Sequence, residues 1–121
     1  MADYIPHKKP GEAITLTASA DVTGGRLVIA SGANTVAPAG ADAANVLGVA
    51  GYDVKSGEKV TVFTRAGGVH PLVASAAIAA GARVVSQTAG RVQTIASLTN
   101  PIGIALQAAA ADGDVIDVLF L

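Results

Sequence analysis

A short β pattern occurs twice in the chain, and this repeat is the feature that most limits the possible folds. In the second copy, an apolar stretch at residues 102–106 leads through a turn at 112–113 to an alternating stretch at 115–121. The first copy has the same order at residues 46–50, 55–57 and 58–63. The matched positions are Gly48 with Gly103, Gly57 with Gly113, Val62 with Val118 and Phe63 with Leu119, at offsets of 55 or 56, and residues 25–29 with 82–86, at an offset of 57. The repeat predicts two related β half-repeats, at about residues 13–65 and 72–121.

The two half-repeats are expected to form one domain. A chain of 121 residues buries about two thirds of its surface as a single unit, whereas half of it would have too small a core. Short strands separated by glycine-containing turns about every ten residues are typical of an all-β barrel or sandwich. We therefore predict a compact, mainly antiparallel β-barrel or sandwich at residues 13–121, with at most one or two short helices.

Some segments depart from the simple strand pattern. Residues 36–45 contain Pro38, Gly40 and Asp42 and are interpreted as a long loop. Residues 72–80 are rich in alanine, which leaves a short helical turn there as an open possibility. Residues 88–90 are predicted to turn between strands at 82–87 and 91–96, since a glycine-containing loop is typical of a hairpin.

The first twelve residues have the composition of an extended arm. Pro6, Pro10 and Gly11 disfavour regular structure. A frayed terminus is one interpretation, because chain ends are often disordered. The interpretation we favour is an arm that contacts a partner, with apolar anchors and a basic triplet that faces carboxylates. The predicted contact residues are Tyr4, Ile5, Pro6, His7, Lys8, Lys9 and Pro10.

Composition and charge exclude several classes of protein. The net charge of -1 gives no electrostatic footprint for nucleic acid. The N-terminus lacks the apolar core of a signal peptide, and polar residues with a proline interrupt the uncharged stretch at 92–111, which argues against a membrane span. The apolar fraction is 51%, with 3% aromatics, and much of it is alanine, which buries little area per residue. We therefore expect association with copies of the chain or with a partner.

The sequence contains few groups suited to catalysis or metal binding. Asp112, Asp114 and Asp117 are the densest carboxylates, but their order differs from that of a calcium loop. His7 and His70 lack partners at metal-ligand spacing, and His70 is interpreted as a surface residue in a loop. No nucleophile elbow or phosphate-binding loop occurs. The protein is thus predicted not to be an enzyme and to need no metal or cofactor.

The order of motifs along the chain resembles the capsid cement, or head decoration, proteins of tailed bacteriophages. The motifs are AGARVV at 80–85, the turn at Gly90, RVQT at 91–94, NPIGIAL at 100–106 and AAAADGD at 108–114. The first half is similar through ITLT at 14–17, VLGVA at 46–50 and SGEKVTV at 56–62. The arm with its basic triplet has no match in the family pattern.

The resemblance implies a small β protein on the outer surface of a virion. Its implied partner is the major capsid protein of a tailed phage, and its implied state is a homotrimer that bridges and stabilises neighbouring capsid subunits. The family implies no catalytic residues, no nucleic acid and no membrane. Without a signal peptide, the protein is expected to be made in the host cytoplasm.

Two other classes of function are kept open. Residues 54–60 resemble the turns of biotinyl and lipoyl domains, which are also built from two β half-repeats. In that case Lys55 or Lys59 would carry the modification, although neither has the neighbours typical of those domains. The other alternative is a different virion or surface β module, such as a fibre or adhesin domain.

Overall fold

The computed structural model describes residues 7–9, 11–65 and 67–121, and β-strands dominate them. Short runs of Val, Ile, Leu and Thr form the strands, and glycine-containing turns end them. The strands are β1 (Ala13–Ala18), β2 (Leu27–Gly32), β3 (Thr35–Pro38), β4 (Val46–Ala50), β5 (Lys59–Thr64), β6 (Val69–Val73), β7 (Arg83–Gln87), β8 (Arg91–Thr94), β9 (Gly103–Ala105) and β10 (Val115–Phe120). A 3-10 turn at Thr88–Gly90 connects β7 to β8.

Strands β1 to β5 form the first unit, a closed barrel with the order β1-β3-β2-β4-β5. Strand β1 pairs antiparallel with β5, where Ile14 lies opposite Val62. The barrel closes on the other side of β1 through a parallel pairing with β3, where Thr17 lies opposite Thr35. One cluster of buried residues fills the interior: Ala18, Val22, Val28, Val36, Ala50, Val54, Val60 and Val62.

Strands β6 to β10 form the second unit, a five-stranded sheet with the order β6-β10-β9-β7-β8. Read in the opposite direction around the barrel, this order matches that of the first unit, with β6, β8, β7, β9 and β10 in the places of β1, β3, β2, β4 and β5. A single parallel bridge between Ala74 and Val92 joins β6 to β8, where the first unit has its β1–β3 pairing. The second unit therefore has the same strand arrangement as the barrel.

Equivalent hydrogen bonds show how closely the units match. The Ser19 N–H donates to the Val36 carbonyl at 2.8 Å, and the Ser75 N–H donates to the Val92 carbonyl at 2.8 Å. Likewise, Gly57 donates to Ala18 at 2.7 Å and Gly113 donates to Ala74 at 2.9 Å. All of these pairs differ by 56 residues, which confirms the predicted all-β fold of two related half-repeats.

The hydrogen bonds correct one part of the predicted alignment. Ala50 N donates to the Arg26 carbonyl, and Ala105 N donates to the Ala82 carbonyl. Arg26 therefore corresponds to Ala82, and Arg83 corresponds to Leu27, so the offset of 57 was wrong by one residue. A one-residue shift in a strand exchanges its two faces. Leu27 and Arg83 thus occupy equivalent positions, and they differ in burial because Leu27 lies in the cluster shared by the two units whereas Arg83 is exposed.

The two units share a core where they meet. Leu27, Val46 and Val49 belong to the same buried cluster as Leu72 and Phe120 of the second unit. Side chains on the outer surface of β2 and β4 are thus covered by the second unit. This shared cluster supports our proposal that residues 13–121 form a single domain.

Two segments differ from what the sequence predicted. The loop predicted at 36–45 begins within β3, which ends at Pro38. Residues 72–80 contain no helical turn, because Leu72 lies in β6 and Ile78 forms a bridge with Ala109. Pairing with β10 and with residue 109 overrides the helical preference of the alanines. Pro71 is compatible with β6 because this strand lies at the edge of the sheet order.

Candidate functional site

A polar cavity of about 380 Å³ lies beside the turns that connect the strands of the first unit. Its carboxylates accept hydrogen bonds from backbone N–H groups: Asp21 from Ser56 at 3.0 Å and Asp53 from Gly24 at 2.7 Å. The Ser56 N–H and the nearby Lys55 ammonium lower the pKa of Asp21 below its ordinary value. These hydrogen bonds indicate that the two carboxylates stabilise the turns beside the cavity.

Lys55, one of the two lysines of the carrier alternative, lies in this turn. Its side chain is 83% exposed, and its ammonium lies 3.6 Å from the Asp21 carboxylate. The backbone N–H of Lys55 donates to Glu58 Oε1 at 2.7 Å. This contact shows that Glu58 stabilises the turn and leaves the lysine side chain on the surface.

The three aspartates near the C-terminus do not meet at one site. Asp112 pairs with Arg91 at 2.9 Å. Asp114 accepts hydrogen bonds from the backbone N–H groups of Ala110 and Ala111, and Asp117 lies within β10. Across residues 7–9, 11–65 and 67–121, no group of three or more His, Asp or Glu side chains is arranged to hold a metal ion.

His70 differs from its prediction as a surface residue in a loop. It lies in β6 opposite Val118, is only partly exposed, and packs its ring 4.9 Å from the ring of Phe120. Burial lowers the pKa of His70 below its ordinary value because the charged imidazolium loses hydration. Its position indicates a packing role at the edge of the second unit.

Only part of the predicted contact arm lies within the described residues. His7, Lys8 and Lys9 are exposed, whereas Tyr4, Ile5, Pro6 and Pro10 lie outside that part of the chain. The Lys9 N–H donates to the Glu12 carboxylate, and the Glu12 carbonyl accepts a hydrogen bond from Thr64 Oγ1 at 2.9 Å. The basic triplet is therefore held close to the end of β5 with its side chains in solvent.

The outward side of β6, β9 and β10 carries a group of apolar side chains that the sequence analysis did not single out. We call it the second-unit face, and it consists of one carboxylate, Asp117, and the apolar residues Val69, Pro71, Val73, Ile104, Leu106, Val115 and Leu119. Val115 lies opposite Val73, and Leu119 lies opposite Val69. Val115 is 61% exposed, Val69 is 52% exposed and Leu106 is 49% exposed. The alternation along β10, with buried Val118 on its other side, is the signal in the sequence that could have identified this outward row.

The corresponding outward side of the first unit is more polar, and we call it the first-unit face. It consists of Ala13, Thr15, Thr17, Lys59, Thr61 and Phe63 on β1 and β5. Phe63 is 46% exposed and lies against Gly51, which precedes Tyr52, an aromatic residue that is itself 49% exposed. The two units therefore present the same scaffold with different surface chemistry.

The prominent features of the described residues are the first-unit face, the second-unit face and the basic triplet at residues 7–9. Among these residues, no helix is long and apolar enough to cross a membrane. A family model described as phage cement protein matches residues 8–120. The chain therefore belongs to the phage cement protein family, as its motifs predicted, and it is a structural protein of the phage virion and a component of the capsid.

A solved structure has the same fold. It is described as the head fiber gp8.5 N base in bacteriophage phi29, and it matches with a TM-score of 0.72 and 19% sequence identity. The alignment covers 91% of this chain and 93% of the phi29 chain. No curated protein matches the sequence.

Proposed function

We propose that this protein binds the outer surface of a tailed-phage capsid and stabilises it, as homotrimers that bridge neighbouring subunits of the major capsid protein. The observation that carries this proposal is the family match over residues 8–120, nearly the whole chain. The fold is compatible with the role, because two barrel-like units form a compact body whose surfaces remain free for contact. Attachment of this kind requires complementary surfaces and no chemical step.

The arm supplies one of the proposed contacts with the capsid. The side chains of His7, Lys8 and Lys9 point into solvent, where Lys8 and Lys9 can pair with carboxylates on the capsid. Residues 1–12 precede β1, so an extended arm is able to reach beyond the barrel or to add to a sheet edge on the shell. In this proposal, Tyr4 and Ile5 supply the apolar part of the contact.

Several modest contacts are sufficient in such an arrangement. When a trimer binds one capsid subunit, its other copies are held at a high effective concentration near the neighbouring subunits. The second and third contacts then form without a further loss of translational freedom. A weak contact by each arm therefore supports firm attachment by the whole trimer.

Co-sedimentation with capsids tests the proposal. Tagged full-length protein and a variant lacking residues 1–12 are mixed separately with particles that lack the protein, and each mixture is centrifuged. A third variant, Lys8→Ala with Lys9→Ala, keeps the arm but removes its two permanent charges. We expect full-length protein to sediment with the particles and the truncated protein to do so poorly. The double variant should bind more weakly than full-length protein at low salt, and its binding should fall less steeply as salt rises.

Failure of the full-length protein to sediment with particles would contradict the proposal. Two further measurements then identify the alternative. An intact mass that includes biotin or lipoate on Lys55 or Lys59 would indicate a carrier. Binding to host cells or glycans, without binding to capsids, would indicate a fibre or adhesin module.

A further inference from the structure

We propose that copies of this chain associate head to tail, with the second-unit face of one copy bound to the first-unit face of the next. This inference deepens the self-association that is part of the proposed function, and it rests on that function. It assigns the surfaces involved, the partner, which is a second copy of the chain, and the polarity of the contact.

The contrast between equivalent positions is the first argument. Lys59 opposite Thr17 in the first unit corresponds to Val115 opposite Val73 in the second. Because a polar pair occupies this position in the closed barrel, the scaffold does not require apolar side chains there. The exposed valines of the second-unit face are therefore explained by a contact outside the chain.

Charge is the second argument for a partner of the same kind. The chain has a net charge of -1, so copies that approach one another meet little overall repulsion. The second-unit face includes one carboxylate, Asp117, beside the apolar residues Pro71 and Leu119. A partner that covers this face needs apolar side chains together with a positive charge.

The first-unit face has this combination. Lys59 and Phe63 lie on the same side of β5, because side chains alternate along a strand and these residues are four apart. Phe63 is 46% exposed and provides a large apolar ring, while the Lys59 side chain is exposed and can reach Asp117 of the neighbouring copy. The Phe63 ring would pack against apolar side chains beside Asp117, such as Leu119, in this arrangement.

Contact between two second-unit faces is less favourable. It would place Asp117 of one copy near Asp117 of the other within an apolar surface, where like charges repel strongly. A head-to-tail contact pairs Asp117 with Lys59 instead. Head-to-tail contacts form closed rings when the rotation between copies permits closure, and a ring of three is the trimer of the proposed function.

Sedimentation equilibrium of purified protein without capsids tests this inference. Val115→Lys places on the second unit the residue that the first unit has at Lys59, and Phe63→Lys disrupts the other face. Ser97→Lys adds the same charge at an exposed turn and is the matched control. Circular dichroism and thermal unfolding establish that each variant is folded.

We expect the full-length protein and Ser97→Lys to have the same mass, above that of a monomer, and both face variants to be monomers. An equimolar mixture of Val115→Lys and Phe63→Lys should form dimers, since one intact face remains on each kind of chain. In addition, Lys59→Asp should weaken association at least tenfold, and Asp117→Lys in the same chain should restore most of it.

Three outcomes would overturn the inference. The first is a monomeric full-length protein, and the second is a Val115→Lys variant that keeps the full-length mass. The third is loss of association in Val115→Lys but not in Phe63→Lys, which would show that two second-unit faces meet. Because these experiments contain no capsids, their failure is distinct from failure of the proposed function. A monomeric protein that sediments with capsids until Val115→Lys is introduced would assign the second-unit face to the capsid.

Discussion

Asn100 donates two hydrogen bonds to Asp42, and this pair joins the two units. The backbone N–H of Asn100 donates to Asp42 Oδ1 at 2.9 Å, and Asn100 Nδ2 donates to the Asp42 carbonyl oxygen at 3.0 Å. The Thr99 N–H and hydroxyl also donate to Asp42 Oδ2. Buried Ser86 lies nearby, where its carbonyl accepts a hydrogen bond from the Asp42 N–H at 2.8 Å. These contacts hold the segment after β3 against the second unit.

Asp42→Asn should lower the stability of the protein at neutral pH. Asp42 has a positive φ of 48°, which asparagine adopts more readily than most residues, so this variant isolates the effect of the carboxylate. The hydrogen bonds from Asn100 and Thr99 lower the pKa of Asp42 below its ordinary value. The ionised form is therefore favoured in the folded state, and its contribution is present above the unfolded pKa.

The same stabilisation should be lost as the pH falls through the folded pKa of Asp42. Thermal unfolding of the wild type and Asp42→Asn at pH 7 and at lower pH measures this effect. We expect a higher melting temperature for the wild type at pH 7 and a difference that narrows below about pH 4. A constant difference across this range would show that the carboxylate is not the stabilising group.

His70 should make the protein less stable in mild acid. Burial lowers its folded pKa, so between the folded and unfolded pKa values the unfolded chain binds more protons. Stability from this residue should therefore decline as the pH falls below about 6.5. His70→Phe retains a ring against Phe120 and removes the titration. Equal pH dependence of wild type and variant between about pH 5 and pH 8 would contradict this account.

Gly103→Ala should destabilise the second unit. A Cβ atom at this position would lie 2.5 Å from the Leu119 carbonyl oxygen and 2.7 Å from Val118 Cγ1. Relief of these clashes requires strands β9 and β10 to separate, and we expect a loss of about 2 kcal/mol or more. Gly40→Ala is the control, since no atom lies within 4 Å of the added carbon. Chemical denaturation of both variants measures the difference, and similar midpoints would contradict the close approach.

Val118→Asp should prevent folding, as should Val62→Asp in the first unit. Both valines are completely buried, and an unpaired carboxylate in an apolar interior costs several kcal/mol or takes up a proton. Val115→Asp, on the exposed side of the same strand, should remain folded. Far-ultraviolet circular dichroism and proteolysis distinguish the two outcomes. A soluble, protease-resistant Val118→Asp protein would show that the assigned interior face is wrong.

Much of the fold was predictable because the repeat and the alternation of apolar residues can be recognised in the sequence without knowledge of tertiary contacts. The alternation placed Val62 and Val118 on the interior face, and the matched glycines located equivalent strands. The offset between β2 and β7 was less certain from sequence. Arg26 and Arg83 suggested a match, but the backbone hydrogen bonds of Arg26 and Ala82 place the true register one residue away.

Other features depend on contacts that are distant in the sequence. Strand β6 contains Pro71 and is recognisable only through its pairing with β10. The hydrogen bonds between Asp42 and residues 99–100 join positions that are 57 or 58 residues apart. No local sequence pattern identifies these hydrogen bonds. Identification of the second-unit face required both the sequence alternation and the strand pairing. The alternation predicts which side chains of each strand point outward, and the pairing places these rows of side chains next to one another.

Release of packaged DNA from heated particles tests the central claim most directly. Particles that lack the protein are heated with a DNA-binding dye, either alone, with full-length protein, or with the variant lacking residues 1–12. We predict that full-length protein raises the temperature of DNA release and that the truncated variant raises it less at the same concentration. If full-length protein binds the particles but leaves the release temperature unchanged, the protein decorates the capsid without stabilising it, and the central claim is wrong.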